Sequence, residues 1–168
     1  KIHNVTGQAG LALLRDGEVD FFVGPLLEVP DDIDFHPIVS YEPLLITALD
    51  HPLAKRKRVT LTDISKYPLI LPPRELSTWR IVESEVTKHG LPHNVKLEVG
   101  GWEVIKTYVE LGLGISIVMS ICITGDEKLA VIPVSKWFPN RTYGVVMRKG
   151  RAVSAQAHRF IEIMGPQV

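Results

Sequence analysis

The chain has 168 residues, of which 45% are hydrophobic and 23% are charged, a composition typical of folded globular proteins. Nineteen basic and nineteen acidic residues leave no formal net charge, whereas a domain that binds nucleic acid by itself usually has a basic surplus. The single cysteine, Cys122, cannot form an internal disulfide, which fits a reducing cytoplasm. The longest uncharged stretch, residues 111–125, is too short to span a bilayer. We therefore expect a cytoplasmic protein without a membrane partner.

The first quarter of the chain predicts a strand, a helix and a second strand. Residues 2–5 favour a short strand, residues 8–16 favour a helix that ends at Gly17, and residues 20–24 favour a buried strand before a turn at Pro25. This order is typical of a βαβ unit, which implies parallel strands.

The remainder of the chain continues the alternation of strands and helices. Thr60 and Asp63 have the spacing of a capping box, and Pro72-Pro73 interrupts the chain near its middle. The helix over 103–111 is predicted to bury Val104 with its apolar neighbours and to expose Lys106. Two apolar runs lie over residues 35–39 and 43–49. Strands are predicted over residues 69–71, 95–99, 114–118, 129–132 and 142–147, and helices over 77–89, 103–111 and 154–164, the last with Phe160 on its apolar face.

The motifs of common enzyme classes are not found. A dinucleotide fingerprint that begins at Gly112 lacks its third glycine, no phosphate-binding P-loop is present, and Ser116 lacks the glycines of a nucleophile elbow. Gly90 and Pro92 interrupt any helix between His89 and His93, so we expect no metal site. The basic run over residues 55–58 is more typical of a solvated loop than of a nucleic-acid site. We expect no enzyme activity and no cofactor.

Several segments, in order, resemble the effector-binding domain of LysR-type transcription regulators. The segment over 14–21 (LRDGEVDF) and the segment over 109–118 (VELGLGISIV) carry the resemblance together with residues 51–54, 59–64, 67–70 and 157–161. The run VIKTYV over residues 104–109 is most similar to the CysB-like branch, which senses sulfate-type anions or O-acetylserine-type metabolites.

The resemblance implies an α/β fold of two Rossmann-like subdomains with a cleft between them, like a type 2 periplasmic binding protein. Subdomain I is expected over residues 1–70 and 142–168, and subdomain II over 71–141. The family's first strand and helix, and the winged helix-turn-helix that precedes them, have no counterpart in these residues. We expect DNA to be bound only through such a helix-turn-helix, and the domain to form a homodimer or higher oligomer.

Three stretches are expected to bind the effector. Gly100 and Gly101 precede the helix predicted over residues 103–111. They leave backbone N–H groups uncovered at the positive end of the helix dipole. Equally, the two glycines could form only a turn and Trp102 could belong to the core. Ser77 could donate its hydroxyl to the effector or cap the helix, and Arg74 is more typical of plain surface. The expected effector-binding residues are Gly24, Pro25, Leu26, Ser77, Thr78, Gly100, Gly101 and Trp102.

The expected effector is a sulfate-like anion, an O-acetylserine-like metabolite or a small carboxylate. Pro25 and Gly100 stand where CysB-like proteins place threonines for sulfate, which favours a different ligand. The alternative is a stand-alone solute-binding protein of related fold.

Overall fold

The computed structural model describes residues 2–165, which form a mixed α/β protein. The chain divides into two compact units, one formed by residues up to Ser40 together with those from Arg141 onward, the other by Tyr41–Asn140. In chain order the elements are α1 (Gly7–Asp16), β1 (Phe22–Pro25), β2 (Ile33–Tyr41), β3 (Pro43–Ala48), α2 (Leu61–Ser65), β4 (Leu69–Leu71), α3 (Ser77–Lys88), β5 (Val95–Glu98), α4 (Trp102–Glu110), β6 (Ser116–Met119), β7 (Leu129–Pro133), β8 (Arg141–Arg148) and α5 (Ala155–Met164).

The first unit is built on a three-stranded sheet in the order β1-β8-β2, with β1 antiparallel to β8. The helix α1 packs on this sheet through Leu14, which is fully buried in a core with Ile33 and Val146. The Thr6 hydroxyl caps the start of α1 by accepting from the Ala9 N–H, and Gly17 ends it at φ 78°. The helix predicted over residues 8–16 is thus confirmed.

The strand predicted over residues 2–5 is wrong. In the described part of the chain these residues are not assigned to a strand and have no strand partner. A strand forms only where a second strand exchanges backbone hydrogen bonds with it. The predicted parallel pairing with the strand after α1 is therefore absent among residues 2–165, and β1 pairs with β8 antiparallel.

The second unit contains an antiparallel sheet in the order β6-β3-β7 and a parallel pair, β4 and β5. A bridge between Leu69 and Ile115 joins β4 to the start of β6. Side chains alternate across the sheet, so that Leu45 faces a core shared with α2 and α3, whereas Ile46 faces a core shared with α4. Helices therefore cover both faces.

Local signals in the second unit are confirmed at two points. The capping box predicted from Thr60 and Asp63 is complete, because each side chain accepts the other residue's backbone N–H at 3.0 Å. Gly114 lies where β6 approaches β4, and a Cβ there would sit 2.5 Å from the Pro68 carbonyl oxygen. Only glycine fits this contact.

Two helix faces differ from the prediction. In α4 Lys106 is buried and Val104 is 41% exposed, the reverse of the expectation, because carboxylates of Glu103 and Glu127 and a backbone carbonyl surround the Lys106 ammonium. In α5 Phe160 is half exposed and contacts Phe21 at a ring-centroid distance of 6.0 Å instead of entering the core.

The subdomain bounds expected from the resemblance remain a prediction. Residues 41–70 fall within the second compact unit, since β3 pairs with β6 and β7. Across residues 2–165, no helix combines the length and the apolar character that crossing a membrane requires.

Candidate functional site

The parallel strands β4 and β5 end side by side in the second unit. Leu71 is paired with Glu98, so the connections that follow the two strands leave the sheet at one edge. The first leads into α3 at Ser77 and the second into α4 at Trp102. In α/β sheets, small ligands bind at the edge where parallel strands end and helices begin.

The two helix starts at this edge have no side-chain cap. The N-cap residues are Leu76 for α3 and Gly101 for α4, and neither supplies a side-chain hydrogen bond to the first turn. Uncapped N–H groups at the positive end of a helix dipole attract anions and polar oxygen atoms. Gly101 has φ 90°, a backbone conformation that favours glycine.

The structure places five of the expected effector-binding residues around these two helix starts. Gly100 and Gly101 are exposed, whereas Trp102 is half-buried and packs against the α4 core. Ser77 is the first residue of α3 and not its cap, and Thr78 is only 2% exposed. The backbone at Gly100–Gly101 is thus more accessible to a ligand than the Thr78 hydroxyl.

The other three expected residues lie at the end of β1 in the first unit. Gly24 is buried within the strand, Pro25 ends it, and Leu26 follows half-buried. The start of α1 lies against this point, because a Cβ at Gly7 would be 3.3 Å from the Pro25 carbonyl oxygen. Thr6 was not among the expected effector-binding residues, although a threonine followed by glycine before a helix is a recognisable N-cap signal.

Arg74, which was expected to be plain surface, lies in the connection between β4 and α3. Its guanidinium carbon is 4.8 Å from the centroid of the Trp79 ring, and its Nε is 3.7 Å from Glu98 Oε2. The Arg74 backbone N–H donates to Glu98 Oε1 at 3.4 Å. A charged group therefore stands at the same sheet edge as the two helix starts.

Among residues 2–165, no three or more His, Cys, Asp and Glu side chains lie together in a group that could hold a metal ion. His93 Nε2 is 2.9 Å from the Thr87 hydroxyl oxygen, and His89 Nδ1 is 2.8 Å from the Glu85 carbonyl oxygen. Both imidazoles thus have ordinary structural partners. The basic run over residues 55–58 is exposed, and within it Arg56 forms an ion pair with Asp63 at 3.0 Å.

An α/β domain whose helices begin uncapped beside the ends of parallel strands belongs to the class of folds that bind small molecules at that edge. The family model described as the LysR substrate binding domain matches residues 1–168. The chain belongs to this family.

The relatives are named as regulators of transcription. The chain is 31% identical over 160 residues to the HTH-type transcriptional regulator SsuR of Burkholderia cenocepacia, a match that covers 93% of the chain and 52% of SsuR. It is 32% identical over 132 residues to the transcriptional regulator CysB of the same organism, covering 77% of the chain and 42% of CysB. The chain thus spans about half the length of these relatives.

The fold is shared with solved effector-binding domains. The effector-binding domain of QuiR in complex with shikimate superposes with a TM-score of 0.83 at 19% identity, covering 95% of this chain and 77% of that one. The expected fold class, that of type 2 periplasmic binding proteins, and the expected resemblance to the LysR family are both confirmed.

Proposed function

We propose that this chain is the effector-sensing domain of a LysR-type, DNA-binding transcription regulator, and that a small anionic or polar effector binds at the starts of α3 and α4. The observation that carries the proposal is that both helices begin without side-chain caps at one sheet edge. N–H groups in the first turn of a helix have no helical carbonyl four residues before them, so they are suited to stabilise a ligand oxygen.

The relatives support the regulatory part of this proposal. SsuR and CysB are both named as HTH-type regulators, and this chain covers about half of each. We place DNA binding in a helix-turn-helix outside these 168 residues, because the chain carries no net charge, whereas a domain that binds DNA by itself usually has a basic surplus. No enzyme activity is part of the proposal.

The effector class follows from the chemistry of the proposed site. Backbone N–H groups and a helix dipole favour sulfate-like anions, small carboxylates and polar metabolites such as O-acetylserine. Pro25 and Gly100 carry no hydroxyl group, so the hydrogen-bonding groups that the resemblance implies for sulfate are absent at these positions. The effector is therefore proposed to differ from that of CysB-like proteins.

We also propose a homodimer, the state that the family resemblance implies. Sedimentation of the 168-residue chain should show a dimer at high concentration. A monomer at every concentration would contradict it.

The alternative is a stand-alone solute-binding protein of related fold. The coding sequence upstream of residue 1 distinguishes the two, since a helix-turn-helix belongs only to the regulator.

The proposal is tested by binding measurements on the chain itself. A library of small metabolites is screened by thermal shift, and each stabilising compound is titrated by calorimetry. We expect a stoichiometric effector and no sequence-specific binding to duplex DNA by these 168 residues. Salt-resistant, sequence-specific DNA binding by the chain alone would contradict the proposal that DNA is bound by a helix-turn-helix outside these 168 residues.

A further inference from the structure

Arg74 is held in place although most of its side chain is exposed. The side chain is 70% exposed, and its guanidinium lies over the ring of Trp79 in the first turn of α3. Trp79 is 5% exposed and packs in the core shared with α2 and α3. A cation over a fixed indole is attracted by the ring face. The guanidinium thus has a defined position at the sheet edge.

The hydrogen-bond donors of this guanidinium have no protein acceptor among residues 2–165. Glu98 Oε2 is 3.7 Å from Arg74 Nε, which is an ion pair but too long for a hydrogen bond. Between residues 2 and 165 no acceptor receives a hydrogen bond from the Arg74 guanidinium, whereas Arg15 donates two to Asp32 at 2.8 and 2.9 Å. Arginine carries five N–H donors in a planar fork. Those of Arg74 remain available to a ligand.

We infer that Arg74 is a specificity-determining residue of the effector site and binds an oxyanion group, a carboxylate or a sulfate, of the effector. The inference rests on the proposed function and names the chemical class of its ligand. The planar fork of a guanidinium forms paired, charge-assisted hydrogen bonds with such groups. A neutral ester of the same acid carries no charge and only one strong acceptor oxygen, so it forms weaker hydrogen bonds with the fork.

Glu98 is the internal competitor of this oxyanion. Its side chain is 43% exposed and is the only carboxylate that Arg74 contacts among the described residues. An incoming oxyanion has to share the guanidinium with Glu98 and is repelled by its charge. Removal of the Glu98 charge and removal of the Arg74 charge should therefore change oxyanion affinity in opposite directions.

The test compares four variants of the 168-residue chain with the wild type. Arg74→Gln removes the charge and the fork, Arg74→Lys retains only the charge, and Glu98→Gln removes the competitor. Arg80→Gln is the matched control, because Arg80 is an exposed arginine on α3, the helix that follows Arg74 in the chain. Sodium sulfate, shikimate, O-acetylserine and the neutral methyl ester of shikimate are titrated by calorimetry at fixed ionic strength, and melting curves establish that each variant is folded.

We expect at least one oxyanion to bind the wild type and the methyl ester not to bind. The Kd of that oxyanion should rise about tenfold or more in Arg74→Gln, which is the effect of losing one charge-assisted hydrogen bond. The Kd should rise less in Arg74→Lys, fall in Glu98→Gln and stay unchanged in Arg80→Gln. The Kd values of sulfate, shikimate and O-acetylserine for the wild type show which oxyanion the site prefers.

Equal binding of the oxyanions to Arg74→Gln and the wild type would overturn the role of Arg74 and leave the effector-sensing function intact. Equal binding of shikimate and its methyl ester would overturn the oxyanion class in the same way. If none of the four compounds binds, the inferred ligand class is overturned. The proposed function then falls only if the wider metabolite screen is also negative.

Discussion

The ammonium group of Lys106 lies 2.7 Å from Oε1 of Glu127 and ties α4 to the connection between β6 and β7. The same ammonium donates to the Cys122 carbonyl oxygen at 2.9 Å. Glu127 in turn accepts from the backbone N–H groups of Thr124 and Gly125 at 3.0 and 2.9 Å. The two charges are therefore embedded in one hydrogen-bonded network.

Replacement of Lys106 by methionine should destabilise the protein strongly. The variant keeps most of the side-chain volume but leaves Glu127 and the Cys122 carbonyl without their shared donor, and loss of one partner of a buried pair is costly. We expect the Tm to fall by about 5–10 °C, as measured by thermal unfolding. Lys128→Met is the control, because Lys128 follows Glu127 directly in the chain and is exposed. This variant should leave the Tm nearly unchanged. A similar Tm for both variants would contradict the structural role of the network.

The network should also make stability depend on pH. The hydrogen bond from Lys106 and those from the Thr124 and Gly125 N–H groups hold the pKa of Glu127 far below its ordinary value of 4.5. Burial alone would lower the pKa of Lys106, but the Glu103 and Glu127 carboxylates together raise it, so the lysine stays charged. A carboxyl whose pKa is lowered by folding contributes stability above its unfolded pKa and loses it as the pH falls.

We therefore expect the free energy of unfolding to fall as the pH drops below about 5. Denaturant unfolding between pH 2 and pH 7 should show a shallower acid dependence in Glu127→Gln than in the wild type. Some dependence should persist, since hydrogen bonds from Thr60 also lower the pKa of Asp63. Identical acid slopes for the wild type and Glu127→Gln would show that Glu127 is not linked to folding.

These long-range contacts mark the limit of what the sequence predicts. The capping box of Thr60 and Asp63 could be predicted because its partners are three residues apart and its geometry is local. The burial of Lys106 could not, because its partner Glu127 is separated by 21 residues and helical periodicity assigns a lysine to the solvent face. The strand expected over residues 2–5 was wrong for a related reason, since strands depend on distant partners.

One part of the candidate site could be predicted from the sequence, and another part could not. A glycine pair before a helix indicates an uncapped start, and the structure places Gly101 there with φ 90°. The position of Arg74 depends on the first turn of α3 and on the register that pairs Leu71 with Glu98. Neither the position of the first turn of α3 nor the pairing of Leu71 with Glu98 can be predicted from the residues that flank Arg74.

Gly114→Ala should lower stability more than any glycine replacement at an open turn. The new Cβ would lie 2.5 Å from the Pro68 carbonyl oxygen, which also accepts the Ile115 N–H. Overpacking against a backbone atom should cost about 1–3 kcal/mol or more. Gly112→Ala is the control, since its Cβ meets nothing within 4 Å but its φ of 73° is strained, at about 1–2 kcal/mol. Chemical denaturation would disprove the close contact if Gly114→Ala were the milder change.

The proposed effector site is tested most directly at Gly100. A Cβ at this position meets nothing within 4 Å, and φ is not in the left-handed region, so Gly100→Val should fold with nearly normal stability. The valine side chain would nevertheless crowd the start of α4 and weaken effector binding. Gly101→Val is less informative, because its φ of 90° adds backbone strain of about 1–3 kcal/mol to any effect on the ligand.

Ile105→Ala completes the comparison as the core control on the same helix. Ile105 is fully buried, and its truncation should cost about 2–5 kcal/mol, with binding lost only as the protein unfolds. Calorimetric titration of the effector, performed alongside melting curves, should therefore show weaker binding at normal stability for Gly100→Val, and normal binding at reduced stability for Ile105→Ala below its melting transition. If Gly100→Val melts and binds like the wild type, the α4 start does not contact the effector and the two glycines form only a turn.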